Sequence, residues 1–126
     1  MRYIQEYCNT ATYFLSYLGR IRFQEPCMIR HILLLKFTSD IKEQQLAAIK
    51  EAFIFIQHQI KGIFSVEWGN NISSENKNKG FTHAVTITFY DHKTLSNYLS
   101  HPAHNKLKEL ILDSVEDIIV FDYEVA

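Results

Sequence analysis

Ile29-Arg30-His31-Ile32-Leu33-Leu34-Leu35-Lys36-Phe37-Thr38-Ser39-Asp40 decides how this chain folds. The run from Ile29 to Phe37 is mostly apolar and bounded by polar residues, which reads as a strand. Asp40 can then cap a helix, with Glu43 three residues on completing a capping box. Leu46, Ile49, Phe53, Ile56 and Ile60 follow at three- and four-residue steps, so a helix is expected from about Ile41 to Ile60. Lys61-Gly62 stops it, because glycine tolerates the left-handed turn that ends helices.

Downstream the same reading continues. Ile63 to Trp68 is a second strand, and Gly69 to Gly80 is a polar loop. Phe81 to Phe89 alternates apolar residues largely with threonine, the period of a strand with one buried face. Asp91 caps a short helix carrying Leu95, Tyr98 and Leu99. Pro102 fits the first turn of another helix reaching to about Ser114, where its missing N–H costs nothing. Asp117 to Val125 is the last strand. The order is β-α-β-β-α-β with the second helical region broken in two. That is an α+β, ferredoxin-like pattern: one antiparallel four-stranded sheet with helices on one face. The other face carries Arg30, Ile32, Leu34 and Lys36 from the first strand and Thr82, Ala84, Thr86 and Thr88 from the third. Ile32, Leu34 and Ala84 are too apolar for open water. A homodimer through this sheet face is the expectation, ahead of coverage by residues 1–27 in a monomer.

Upstream, Ile4, Cys8, Ala11, Leu15, Leu18 and Ile21 recur at helical spacing, and Gly19 and Glu25-Pro26 would end such a helix. Residues 1–27 are therefore either a short N-terminal helix docking on the domain or a mis-called start before Met28. The second fits better, since residues 28–126 form a complete unit without them.

The chain has 126 residues with 47% hydrophobic and 21% charged, which suits one domain and rules out disordered, collagenous or rod-like chains. The leader's three arginines and two glutamates give it +1, so the chain's net −1 leaves the domain at −2. Proteins that grip phosphate backbones are usually basic, so no nucleic-acid partner is expected. Both cysteines, Cys8 and Cys27, lie in the leader, and two free thiols fit a reducing compartment. No apolar run approaches the ~18 residues of a membrane helix, and the N-terminus lacks a signal-peptide layout. A cytoplasmic protein with no membrane partner is expected.

The helix-facing stripe of the first strand is His31, Leu33, Leu35 and Phe37, and that of the third is Phe81, His83, Val85, Ile87 and Phe89. Each is apolar except for one histidine. His104, Leu107 and Ile111 share a face of the last helix, and Leu95 and Tyr98 share a face of the short one. An unpaired buried polar group costs about 1–3 kcal/mol. Three imidazoles and one phenol pointing inward from four elements therefore predict a shared polar pocket, although each alone has a plain structural explanation. His58 falls outside its helix's apolar stripe. His92 sits in a first turn, and His101 shapes the turn before Pro102.

These same residues carry a family resemblance. Ile29 to Phe37, then Gly80-Phe81-Thr82-His83, then Tyr98 followed by His101-Pro102-Ala103-His104, and the ending Phe121-Asp122-Tyr123-Glu124-Val125 together resemble the stress-responsive A/B barrel (Dabb) domain. The resemblance covers nearly all of the chain after Met28. It implies a homodimeric α/β barrel with ferredoxin-like subunits. The family is functionally mixed: many members have no assigned activity, and one is a plant polyketide cyclase that performs an intramolecular aldol cyclisation without metal or organic cofactor. That member's pocket histidines and tyrosine look similar to His31, His83, Tyr98 and His104.

Three functional expectations result. The first is a dimeric stress-response module that binds an apolar small molecule, with no cofactor. The second is a cofactor-free cyclase-like enzyme. His104 would act as base, Tyr98 would donate to the developing oxyanion, and His31 and His83 would bind substrate or orient His104. The third is a metal site built from the three histidines. It ranks last because the spacing follows strand and helix phases rather than a chelating motif. Nucleophilic catalysis has no support, since the domain lacks cysteine and no serine sits in a recognisable elbow.

Overall fold

The computed structural model describes residues 27–125. The sequence-derived N-terminal helix and Cys8 lie outside the described residues. The elements run β1 (Ile29–Phe37), α1 (Glu43–Gln59), β2 (Ile63–Asn70), β3 (His83–Phe89), α2 (His92–Ser100), α3 (Pro102–Ile111) and β4 (Val115–Glu124). The sheet order is β2-β3-β1-β4 with every pair antiparallel, so the ferredoxin-like α+β expectation holds.

Strand phase is as the alternation requires. Ile29, His31, Leu33 and Leu35 turn inward and are buried, while the residues between them are only half-buried. Val85, Ile87 and Phe89 meet them from β3. Helix α1 lays Ile49, Phe53 and Ile56 over this surface, and Leu95, Tyr98 and Leu107 complete the core from α2 and α3. Burial of these side chains is the main driving force for the fold.

Several boundaries differ from the expectation: β2 runs on to Asn70, and β3 starts at His83 rather than Phe81. Helix α1 begins at Glu43 rather than near Ile41, because residues 38–41 form a turn closed by the Ile41 N–H donating to the Thr38 carbonyl at 3.2 Å. The residue at its N-cap is thus Lys42, not Asp40. Gln45 takes the part expected of Glu43, its Oε1 accepting from the Lys42 N–H at 3.0 Å. Helix α3 stops at Ile111 rather than near Ser114, and β4 starts at Val115 rather than Asp117, so the last connection lies earlier in the chain than expected. The Asp91 cap is as expected: its carboxylate accepts from the Thr94 N–H at 2.8 Å, and Thr94 Oγ1 accepts from the Asp91 N–H at 3.2 Å. Gly62 ends the α1 connection with φ +93, and a Cβ there would lie 2.3 Å from Thr94 Cγ2.

The outer sheet face has the composition expected of β1 and β3, with Arg30 Nη1 donating to Thr88 Oγ1 at 2.9 Å. β4 extends it, since Ile119 and Phe121 lie opposite Leu34 and Ile32. Phe121 is 61% exposed. The apolar face is therefore larger than β1 and β3 alone suggested.

Candidate functional site

The inner side of β1 and β4 and the helices α1, α2 and α3 line a half-open cavity of about 430 Å³. Most of its wall is aliphatic or aromatic: Leu33, Phe53, Leu107, Ile111, Ile118 and Val120 among others. His31, Tyr98 and His104 stand together in this lining. Local sequence puts them there. The strand period turns His31 inward. The Asp91 cap and the helical period turn Tyr98 inward. Pro102 at the first position of α3, with His101 Nδ1 accepting from the Ala103 N–H at 3.0 Å, sets the start from which His104 projects.

The rings form a chain. Tyr98 is nearly fully buried, with its ring centroid 5.6 Å from that of His31 and 4.6 Å from that of His104. Phe89 backs Tyr98 at 5.1 Å. His31 is also buried, and its Nδ1 lies 2.5 Å from Asp122 Oδ1. A carboxylate accepts, so Nδ1 carries a proton and the other ring nitrogen faces away from Asp122. His104 Nδ1 lies 3.1 Å from the Leu99 carbonyl, which can only accept, so the bare nitrogen of neutral His104 is Nε2.

Electrostatics push in consistent directions. Burial lowers the His104 pKa below 6.5, and the neighbouring Lys108 and His31 lower it further against the Leu99 hydrogen bond. The imidazole is therefore neutral near pH 7. Burial, and then the charge of Asp122, push the Tyr98 hydroxyl well above its ordinary value, so it stays a donor. A neutral base beside a neutral phenol, in a mostly apolar pocket, is an arrangement that can accept one proton and stabilise one oxyanion.

His83 does not join this group. It pairs across the sheet with Leu35, four residues along β1 from His31, which separates the two by about 13 Å. It stacks between Phe37 (5.2 Å) and Trp68 (5.3 Å) and borders a different hollow beside the polar loop before β3. The expectation of four converging polar groups thus reduces to three. Shared apolar phase does not imply shared position along a strand. Burial lowers the pKa of His83 too.

Asp122 is the site residue that sequence reasoning missed. It sits at an inward phase of β4 behind Ile118 and Val120, and the β1/β4 register sets it opposite His31. A lone acid in an apolar alternation was the available signal. The remaining histidines have structural surroundings: His92 pairs with Glu124, His58 stacks on Phe55, and His101 caps α3. Among the described residues no three His, Cys, Asp or Glu side chains are placed to share a metal ion, so His31, His83 and His104 are not brought together as a ligand set.

The family model of the stress responsive A/B barrel domain matches residues 29–125. Olivetolic acid cyclase of Cannabis sativa is 30% identical over 95 residues, covering 75% of this chain and 94% of that protein. A stress-response A/B barrel domain-containing protein of Arabidopsis thaliana is 26% identical, covering 76% of this chain and 88% of that protein. A crystal structure of a dimeric ferredoxin-like protein of unknown function from Jannaschia superposes with a TM-score of 0.65 at 25% identity, covering 78% of this chain and 99% of that one. With the family model matching residues 29–125 and a 30% identical relative over most of its length, the chain belongs to the stress responsive A/B barrel (Dabb) family.

Proposed function

We propose that residues 28–126 bind an apolar small molecule in the cavity between the sheet and α1–α3, as a homodimeric module. One observation carries this reading: a roughly 430 Å³ apolar cavity with its polar side chains grouped around Tyr98. Ligand sites are typically concave, mostly apolar and a few hundred Å³, with a small number of polar groups that set orientation. His31, Tyr98 and His104 would hydrogen-bond the ligand's oxygen atoms, and His83 would at most contact a part extending beyond this cavity. Dimerisation through the outer sheet face would bury Ile32, Leu34, Ile119 and Phe121; that the similar Jannaschia protein is dimeric supports dimerisation itself. Among the described residues no helix is long and apolar enough to cross a membrane.

A second reading, cofactor-free aldol cyclisation, is favoured by the contact of Tyr98 with His104 and by the similarity to olivetolic acid cyclase. His104 Nε2 would take a proton from a carbon next to a carbonyl, and Tyr98 would donate to the enolate oxygen. The carbanion would form a C–C bond with a second carbonyl of the same molecule. The resulting alkoxide would regain the proton from His104, which leaves no net charge or redox change. In this reading His104 and Tyr98 are catalytic and His31 binds substrate.

A thermal-shift screen of the full chain with polyketide- and lipid-like ligands, followed by a product assay, tests both. Stabilisation without product supports the binding module. Product that is lost in His104→Ala and Tyr98→Phe supports cyclisation, and product unchanged in both variants rejects it. A screen in which no apolar ligand shifts the melt rejects the cavity as the binding site.

A further inference from the structure

The cavity is not uniform from floor to mouth. Its floor is the buried pair His31 and Tyr98, and its mouth is marked by the lining residues that reach solvent. These include Leu99, Leu112 and Val120, which are 46%, 74% and 54% exposed, and the exposed Lys108. Apolar side chains left open around one entrance are what an apolar ligand would cover.

The mouth carries a single charge. Among the described residues of the lining Lys108 is the one lysine or arginine, and no aspartate or glutamate accompanies it. Lys108 stands one helical turn beyond His104, so the two share a face of α3. Its charge is felt at His104, which it helps to keep neutral. The positions three and four residues away are His104, Asn105, Ile111 and Leu112, none of them acidic. Among the described residues Lys108 forms no ion pair. The floor carries the opposite sign. Asp122 stands behind His31, 2.5 Å from its Nδ1, and its charge also opposes ionisation of Tyr98. An anion driven to the floor would meet Asp122, whereas one held at the mouth meets Lys108.

We propose that the ligand is an amphipathic monocarboxylate, with its apolar body in the cavity and its carboxylate at the mouth on the Lys108 ammonium. This rests on the cavity being the small-molecule site and adds the ligand's charge and direction. A carboxylate against an apolar rim loses hydration that only a charged or hydrogen-bonding partner replaces. Lys108 supplies that partner, and its flexible stem lets the ammonium follow the carboxylate while staying near water. One ammonium balances one negative charge. A phosphate would bring nearly two charges at neutral pH and meet no second lysine or arginine among the described lining residues.

NMR titration of the full chain with octanoate, 1-octanol and octyl phosphate at one ionic strength tests this, since all three share a tail. Octanoate should bind wild type about fivefold tighter than 1-octanol and move the amide signals of Lys108, Ile111 and Leu112. Lys108→Gln should weaken octanoate by about the same factor and leave 1-octanol unchanged. The side chain is exposed and outside the core, so this variant should keep the wild-type spectrum elsewhere. Lys106→Gln removes the same charge from a position outside the lining and should change neither affinity. Equal binding of octanoate and 1-octanol to wild type would overturn the proposal and leave the cavity reading in place. So would octanoate binding kept in Lys108→Gln, an equal loss in Lys106→Gln, or octyl phosphate binding tighter than octanoate. If none of the three ligands moves a cavity signal, the cavity reading falls and takes the proposal with it.

Discussion

At the residue scale, His31 shows how a polar group survives inside an apolar stripe. Its neighbours on the inner face of β1 are Ile29 and Leu33, both buried, yet its Nδ1–H is satisfied by Asp122 at 2.5 Å. Asp122→Asn keeps the shape but removes the charge that strengthens this hydrogen bond. Bonds to charged partners contribute about 1.5–3 kcal/mol, and Asp122 is partly solvated, so a loss of about 1–2 kcal/mol in chemical denaturation is expected. Any ligand oriented by His31 should weaken as well, by about tenfold for each 1.4 kcal/mol lost. His83 and His104 act through pH. Burial places both below the ordinary value of 6.5, so just under that pH the unfolded chain binds more protons than the folded one. Stability should hold near neutrality, begin to fall as the pH drops through 6.5, and reach its full loss below the folded-state values. Melting temperatures of wild type and of the His83→Gln/His104→Gln double variant between neutral and mildly acid pH check this. The double variant should show the shallower slope.

At the scale of elements, the turn after α1 and the start of α2 depend on one another. Gly62 has φ +93, which a side chain resists, and the space a Cβ would need is occupied by Thr94. Thr94 cannot step aside freely, because it holds the Asp91 cap through its own N–H and hydroxyl. Gly62→Ala should therefore destabilise by about 1–3 kcal/mol, combining backbone strain with displacement of α2. Urea denaturation gives the number. Because α2 presents Tyr98, the same variant should also weaken ligand binding in the cavity. Sequence periodicity placed α2 and its cap correctly. It misplaced the start of α1 because a capping pattern at Asp40 competes with a turn at Thr38. The turn wins through a backbone bond that local residue types do not reveal.

At the scale of the whole molecule, one sheet face is closed by helices and the other is left apolar. Ile119 and Phe121 of β4 continue the Ile32 and Leu34 surface across the edge of the sheet. An apolar face of this kind in a domain of about 100 residues is normally covered. Phe121→Glu should lower the mass measured by light scattering and leave the helical signal intact, because the side chain is exposed and supports no core contact within the subunit. An unchanged mass would place the partner surface elsewhere.

Strand and helix order, the inward phase of His31, Tyr98 and His104, and the apolar outer face were all legible in the residues. Each depends on a short-range period or on caps and breakers within a few positions. The Tyr98 and His104 pair was within reach for the same reason, since the two sit on consecutive helices joined by a defined turn at His101-Pro102. Register and depth were not legible. Only the pairing of β1 with β4 sets Asp122 against His31, and only the pairing of β1 with β3 carries His83 away from the cavity. Those distances are set by strand pairing between residues 48 to 95 positions apart in the chain, as the Leu35–His83 and Ile29–Glu124 pairs bracket, and no local pattern encodes them.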